Sequence, residues 1–324
     1  MFFRMKFSIP ALAASALVLC TACTDSAPTE QTTFFAMDTA VSITLPADSS
    51  AQSAQEAITA LSGSLDSFRA DSVVSSLNET GQVTDAALAK ILSQTASLSD
   101  RFGDAVSLTC GNVTKLWGIS TDSPAVPSEQ ELHTALQTVD DAQIRLQGDQ
   151  ITLENGAALD LGSVAKGYAL DAVYERWQTE DVPYGICSMH SAVLLFGEKP
   201  DKSLFTVQIQ SPDDATKTLG TVSVPACFLA TAGGYERYFT ADDGNEYCHI
   251  LDLQTGYPVQ SDLTTVTVFT DNGLKADYLS TLIFLEGTES IQSHLTAADY
   301  QIVAADQNGT LYISDGLQFT EAPV

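Results

Sequence analysis

Asp277 and Thr281, in "KADYLST", are four residues apart. If the segment is helical, its carboxylate and hydroxyl project from one face about one turn apart. Hard oxygen donors at that spacing suit a hard cation. Mg2+ takes one or two carboxylates and completes its shell with water and substrate phosphates. The same spacing also arises without a metal, with the aspartate capping or salt-bridging and the threonine packing its methyl group. A complementary stretch, "LDLGSVAKGYALD" (residues 159–171), sets Lys166 among small residues at 162, 163, 165 and 167. A helix start with free N–H groups, close backbone approach and a nearby ammonium makes an anion site. Lysine serves there as a point charge. The stretch is neither a Walker A sequence nor a GxGxxG fingerprint. In "EYCHILDLQTGYPV", His249 ends a strand-like run and precedes Asp252, a setting that fits a reactive histidine or a structural one. His133 and His294 fall on amphipathic helices and read as surface residues, and His190 offers less.

The elements that must position these groups follow from periodicity. "SAQEAITALSGSLDSF" and "DAALAKILSQTASLSDRFG" carry apolar residues at helical spacing. "PSEQELHTALQTV" opens with Ser128 and has Glu131 three residues on, a capping-box signature. A helix is expected from about Ser163 to Trp177 and another over "LKADYLSTLIFL". "FFAMDTAVSITLP" reads as a first strand, and "AVLLFG", "FTVQIQS", "LGTVSVPACFLAT" and "TTVTVFT" as later ones. Hairpins are expected at Gly148-Asp149 and at Asn308-Gly309. With no long-period repeat or internal linker, the pattern predicts one α+β domain of mixed, largely antiparallel sheets flanked by helices.

The 324 residues carry 14 Lys and Arg against 41 Asp and Glu, a formal charge of −27. That argues against nucleic acid as a partner, since phosphate contacts need basic patches. The N-terminus, "MFFRMKFSIPALAASALVLCTAC", has two basic residues, an apolar run and then small residues and cysteine. It reads as a lipoprotein signal over residues 1–22 with Cys23 as the lipidated residue, followed by a polar tether over 23–32 and the folded domain over 33–324. The implied location is extracytoplasmic, on the membrane of a bacterium through an N-terminal lipid anchor. Cys110, Cys187, Cys227 and Cys248 fit no zinc or redox spacing, and both disulfides and free thiols stay open for them.

Several segments, in order, resemble the ApbE family of flavin transferases. "FFAMDTAVSITL" is similar to the family's opening strand, "SFRADSVVSSLNE" to its serine-rich segment, and "LWGIS" to its Leu-Trp-Gly. "LDLGSVAKGYALD", "TAGGYERYF", "HILDLQTGYP" and "KADYLSTLIF" resemble its later motifs. The resemblance implies Mg2+-dependent transfer of FMN from FAD to a Ser or Thr hydroxyl of an exported acceptor protein that carries a flavinylation motif, with release of AMP. It implies Asp277, Thr281 and the carbonyl of Ala165 as metal ligands. It places Met37, Asp38, Thr39, Lys166, Tyr168, Thr231 and His249 along the dinucleotide, with Ala165 beside them and His249 as the residue assisting the reaction. FAD hydrolysis to FMN and AMP, or flavin binding without turnover, would use the same site. The chain departs from the family pattern in "CSMHSAVLLFG". Ser188, His190, Ser191 and Ala192 stand there where Asn, Gly, Gly and Asn are usual. Ala232, Gly234 and Leu253 are further departures, all in segments expected to touch the ligand.

Overall fold

In a computed structural model, residues 28–322 are described, apart from 236, 242 and 243. The signal, Cys23 and the first half of the tether therefore lie outside the described residues. The fold begins with β1 (Thr29–Ala36) and β2 (Thr39–Pro46), paired antiparallel around a tight turn at Met37-Asp38. The single strand expected over "FFAMDTAVSITLP" is thus a hairpin, and pairing starts four residues inside the expected tether. Helices α1 (Gln52–Leu65) and α2 (Val73–Thr80) follow. Next comes a small sheet of β3 (Gln82–Thr84), β4 (Ile144–Gln147) and β5 (Gln150–Leu153). Between β3 and β4 the chain forms α3 (Ala86–Phe102), α4 (Gly111–Trp117) and α5 (Glu129–Leu136).

The second half starts with α6 (Ala165–Thr179), then β6 (Tyr184–Met189) and β7 (Ala192–Gly197). Strands β8 (Phe205–Gln210) and β9 (Thr218–Val224) leave the main sheet, and β10 (Cys227–Gly233) returns to it. A short hairpin, β11 (Tyr238–Thr240) and β12 (Glu246–Cys248), precedes β13 (Leu263–Thr270). Then come α7 (Gly273–Glu286), α8 (Ile291–Leu295), β14 (Gln301–Asp306), β15 (Leu311–Ile313) and β16 (Gln318–Glu321). "LGTVSVPACFLAT" is therefore two strands in two sheets. Pro225, which cannot donate to a ladder, stands in the segment between them.

The main sheet has eight strands in the order β1-β2-β6-β7-β10-β13-β14-β15, and every strand pair among the described residues is antiparallel. Alternation along its strands feeds two cores. Val193 and Leu195 of β7 face Phe205, Val207 and Val222 of the small sheet β16-β9-β8. Ala192, Leu194 and Phe196 face the helices, with Leu170, Val173 and Trp177 of α6. The strand is buried on both faces, which is why it reads as an unbroken apolar run. No helix among the described residues is long and apolar enough to cross a membrane.

Four helix starts carry side-chain caps, among them the one expected at Ser128. Ser72, Asp85 and Asn272 each accept from the backbone N–H three residues on, and Ser128 and Glu131 form a full capping box. His294 corrects the sequence expectation of a surface residue. It is 7% exposed, with Nδ1 2.7 Å from the Tyr300 hydroxyl and Nε2 2.8 Å from Glu286. A polar residue on a short helix looks like a surface residue until its partners, six and eight positions away, are known. The four cysteines within the fold are free thiols.

Helices α6 and α7 cross with their backbones in contact. A Cβ at Gly167 would lie 2.1 Å from the carbonyl oxygen of Gly273, and one at Gly273 would lie 2.3 Å from that of Gly167. Neither obstacle is a flexible side chain, so neither helix can yield without moving the other. Gly167→Ala should therefore cost about 3 kcal/mol, the upper end of ordinary overpacking. In thermal unfolding, the midpoint should fall by more than about 5 °C. An unchanged midpoint would show that the crossing tolerates a methyl group.

Candidate active site

The crossing is held by two carboxylates, each reaching the other helix. Asp171 of α6 accepts from the N–H groups of Gly273 (2.6 Å) and Leu274 (3.0 Å) at the start of α7. Asp277 of α7 accepts from the N–H of Gly167 (2.9 Å) and is held by the N–H of Lys166 at the start of α6. Each helix thus supplies an acceptor for the otherwise unpaired N–H groups of its partner. The capping reading of Asp277 is correct as far as it goes, but the helix it caps is α6.

Asp277 and Lys166 also line a cleft beside the crossing, together with Thr281, Ser280, Asp160 and Gly162. Burial pushes the Asp277 carboxyl above its ordinary value, while the Lys166 ammonium and the two N–H groups pull it back. Thr281 lies one turn further along α7, and its Oγ1 donates to the Asp277 carbonyl at 3.3 Å. Asp160 fixes the loop leading into α6. Its Oδ1 accepts from the Gly162 N–H (2.8 Å), and its Oδ2 accepts from Ser67 (3.3 Å) and Thr114 (3.1 Å).

The facing wall comes from the strand ends and the β11–β12 hairpin. Thr39, His190, Ser191, Thr231, Arg237 and His249 line it. His249 follows β12 directly. Its N–H donates to the Arg237 carbonyl (3.0 Å), and its Nδ1 lies 3.3 Å from the same oxygen. A carbonyl only accepts, so Nδ1 carries the proton and Nε2 is the basic nitrogen. The hairpin leans on Trp117, whose Nε1 donates to Gly256 (2.7 Å) and whose ring packs against Phe239, Tyr247 and Tyr257.

Among the sequence-predicted residues, Thr39, Lys166, Thr231, His249, Asp277 and Thr281 are thus on the cleft wall. Met37 and Asp38 form the turn just before Thr39, and Arg237 Nη2 donates to the Asp38 carbonyl at 3.2 Å. Ala165 is the first residue of α6, at the base of the crossing. Tyr168 is 7% exposed and packs in the main core, with the Lys90 ammonium 5.8 Å from its ring centre, away from the cleft lining. Asp171 and Arg237 were missed. An aspartate inside a helix gives no local sign of capping a helix about a hundred residues later, and Arg237 sits in a loop without periodicity.

The donor set fits a magnesium ion. Asp277 is a buried carboxylate on the cleft wall, and the Thr281 hydroxyl adds a second hard oxygen from the same helix. The described residues contain no cluster of three or more His, Cys, Asp or Glu side chains able to hold a metal alone. A cation here would need ligands beyond such side chains, as Mg2+ in phosphate chemistry does.

Known proteins share this fold of an eight-stranded antiparallel sheet backed by crossed helices. Residues 37–304 match the ApbE family, and the chain belongs to it. It is 30% identical over 246 residues to the FAD:protein FMN transferase of Treponema pallidum, covering 69% of this chain and 68% of that one. The crystal structure of the ApbE protein of Thermotoga maritima superposes with a TM-score of 0.83 at 25% identity, covering 89% of this chain and 97% of that one. The apo flavinyl transferase ApbE of Pseudomonas stutzeri shares the fold with a TM-score of 0.75 at 23% identity, covering 93% of this chain and 96% of its own.

The caps at the crossing give a pH dependence with a definite sign. Burial pushes the Asp171 carboxyl from its ordinary 3.8 up to about 6, although the two N–H groups favour its charged form. The folded protein therefore holds a proton that the unfolded chain releases. The stability Asp171 contributes by this route is complete below pH 4 and is lost as pH rises through about 6, a difference on the order of 2–3 kcal/mol. Asp171→Asn, which keeps one oxygen acceptor, should remove this slope. Urea unfolding of both proteins between about pH 4 and pH 7 should give stability curves that diverge across that window, and parallel curves would refute the assignment.

Proposed function

We propose that the protein transfers the FMN half of FAD to a Ser or Thr hydroxyl of an exported acceptor protein and releases AMP. The observation that carries this reading is the meeting, in one cleft, of the Asp277–Thr281 oxygen pair, the Lys166 helix start and a histidine whose basic nitrogen is Nε2. The relatives' activity and the residues on this chain's own cleft wall support it together.

In the reaction, the acceptor hydroxyl oxygen bonds to the phosphorus on the FMN side of the pyrophosphate. The bond from that phosphorus to the bridging oxygen breaks, and AMP leaves with the bridging oxygen. The hydroxyl is a poor nucleophile, so a base must take its proton, and His249 Nε2 serves because Nδ1 is committed to the Arg237 carbonyl. Lys166 brings positive charge to the start of α6, beside the buried carboxylate, where it offsets the negative phosphates. Asp277, Thr281 and the Ala165 carbonyl would hold Mg2+, which supplies charge stabilisation on the transferring and leaving oxygens.

The test incubates the purified chain with FAD, Mg2+ and an acceptor peptide and follows peptide mass and AMP. An adduct of FMN less water with matching AMP is expected, and chelation by EDTA should abolish it. Asp277→Ala should lose transfer, and its full activity with Mg2+ would overturn the metal assignment. His249→Ala should lower kcat roughly 10²–10⁴-fold while FAD still binds. Free FMN with AMP and no adduct would make the protein a hydrolase, and bound intact FAD would make it a carrier.

We also propose that the protein works outside the cytoplasm, tethered through lipidated Cys23. Cys23→Ala should move it from the membrane fraction to the soluble fraction on cell fractionation. Retention of the variant in the membrane would remove the lipid anchor from the reading.

A further inference from the structure

We infer that His190 is a specificity-determining residue of this cleft, a hydrogen-bond donor to the pyrophosphate of the bound dinucleotide. The inference rests on the reading of the site just given and adds a residue to it.

The first observation is the backbone. Strands β6 and β7 are joined by a two-residue turn, His190-Ser191, closed by the pairing of Met189 with Ala192. Of the two, His190 alone has a positive φ, 61°. A hairpin turn with positive φ at its first central residue favours glycine, because a side chain there is strained. The turn cannot relax by shifting, since the Thr231 N–H donates to the Ser191 carbonyl at 2.8 Å. The chain thus holds an imidazole at a backbone position where glycine would be easier. Strain held in place by its surroundings is found at ligand-binding positions.

The second observation is where that turn lies. His190 and Ser191 are on the cleft wall with Thr231, Arg237, His249 and Lys166. The pairing of Ser42 with Ser188 runs β2 alongside β6, so the turn lies beside the start of β2 at Thr39. That neighbour is the Met37-Asp38 turn, whose φ values of 50° and 55° are also left-handed. Two strained, non-glycine turns therefore share one end of the sheet, at the mouth of the cleft.

The third observation is charge. A pyrophosphate must settle in a protein of formal charge −27. Lys166 and Arg237 are the lysine and arginine of the cleft wall, and Arg237 already donates to the Asp38 carbonyl (3.2 Å) and lies 3.5 Å from the Ser120 hydroxyl. Further donors must come from groups of another kind. Beside the wall's hydroxyls and His249, which is assigned to the acceptor hydroxyl, His190 is the second imidazole there.

The test compares binding of FAD, ADP, adenosine and riboflavin, each with Mg2+, to wild type, His190→Gly and His190→Gln by calorimetry. His190→Gly should be at least as heat-stable as wild type, because glycine suits the turn, yet bind FAD and ADP about tenfold more weakly. Adenosine and riboflavin should bind both proteins alike. His190→Gln, which keeps an N–H donor, should recover part of the lost affinity. A loss that falls equally on adenosine or riboflavin would make His190 a stacking residue and overturn the phosphate contact. A lowered thermal midpoint in His190→Gly with unchanged affinities would make its role structural and also overturn the inference. Tight FAD binding by wild type and His190→Gly alike overturns the inference alone. Failure of wild type to bind FAD overturns the reading of the site as well.

Discussion

The helical wall of the cleft depends on the contact between Gly167 and Gly273. Two helices can approach to backbone contact only where neither carries a Cβ, and here a Cβ on Gly167 or Gly273 would lie 2.1 or 2.3 Å from the other glycine's carbonyl oxygen. That closeness allows Asp171 and Asp277 to cap each other's helices across the crossing. The two caps serve different ends. Asp171 is half-buried away from the cleft lining and works as a fastener, while Asp277 also lines the cleft. One motif thus locks the helices and sets a carboxylate on the cleft wall.

The same economy accounts for what sequence reading found and missed. Asp277 and Thr281 were legible because helical spacing is a local rule, and Lys166 because small neighbours and scarce cations stand out locally. The capping box at Ser128 and the hairpins at Gly148 and Gly309 were legible for the same reason. The partner of Asp171 was not, because it lies about a hundred residues away and nothing near Asp171 announces it. Met37-Asp38 hid a turn inside an apparent strand because it offers no glycine or proline to mark left-handed backbone. His294 looked like a surface residue because burial is decided by Tyr300 and Glu286, not by its own helix.

Helix α7 is the other fixed reference. It is apolar on nearly every side, so packing holds it throughout its length. Near its start, Lys275 is 7% exposed and bonds Asp299 at 2.5 Å, which Arg101 also meets at 2.9 Å. Burial works against the charge on Asp299, but these two cations outweigh it and hold its carboxyl below the ordinary range. Near its end, Glu286 bonds His294, which in turn meets Tyr300. Asp277 and Thr281 therefore sit between two anchored ends of a buried rod. If they hold the proposed cation, such preorganised groups need little rearrangement when it binds.

The opposite wall is built on another principle. His249 follows a short hairpin, Arg237 lies in the loop before it, and His190 comes from a strained turn between β6 and β7. Trp117 and the aromatic rings of the hairpin brace this side, yet it has no counterpart to the glycine crossing. The division suits group transfer to a protein. Phosphate and metal chemistry demand one rigid geometry, and the α6–α7 wall supplies it. An acceptor hydroxyl carried on a second protein must enter, react and leave, which a wall of turns and hairpins permits. The departures from the usual family pattern at 188, 190–192, 232, 234 and 253 fall on this second side or next to it, whereas Lys166, Gly167, Asp277 and Thr281 keep the pattern. On the first side, one added methyl group would drive two helices apart.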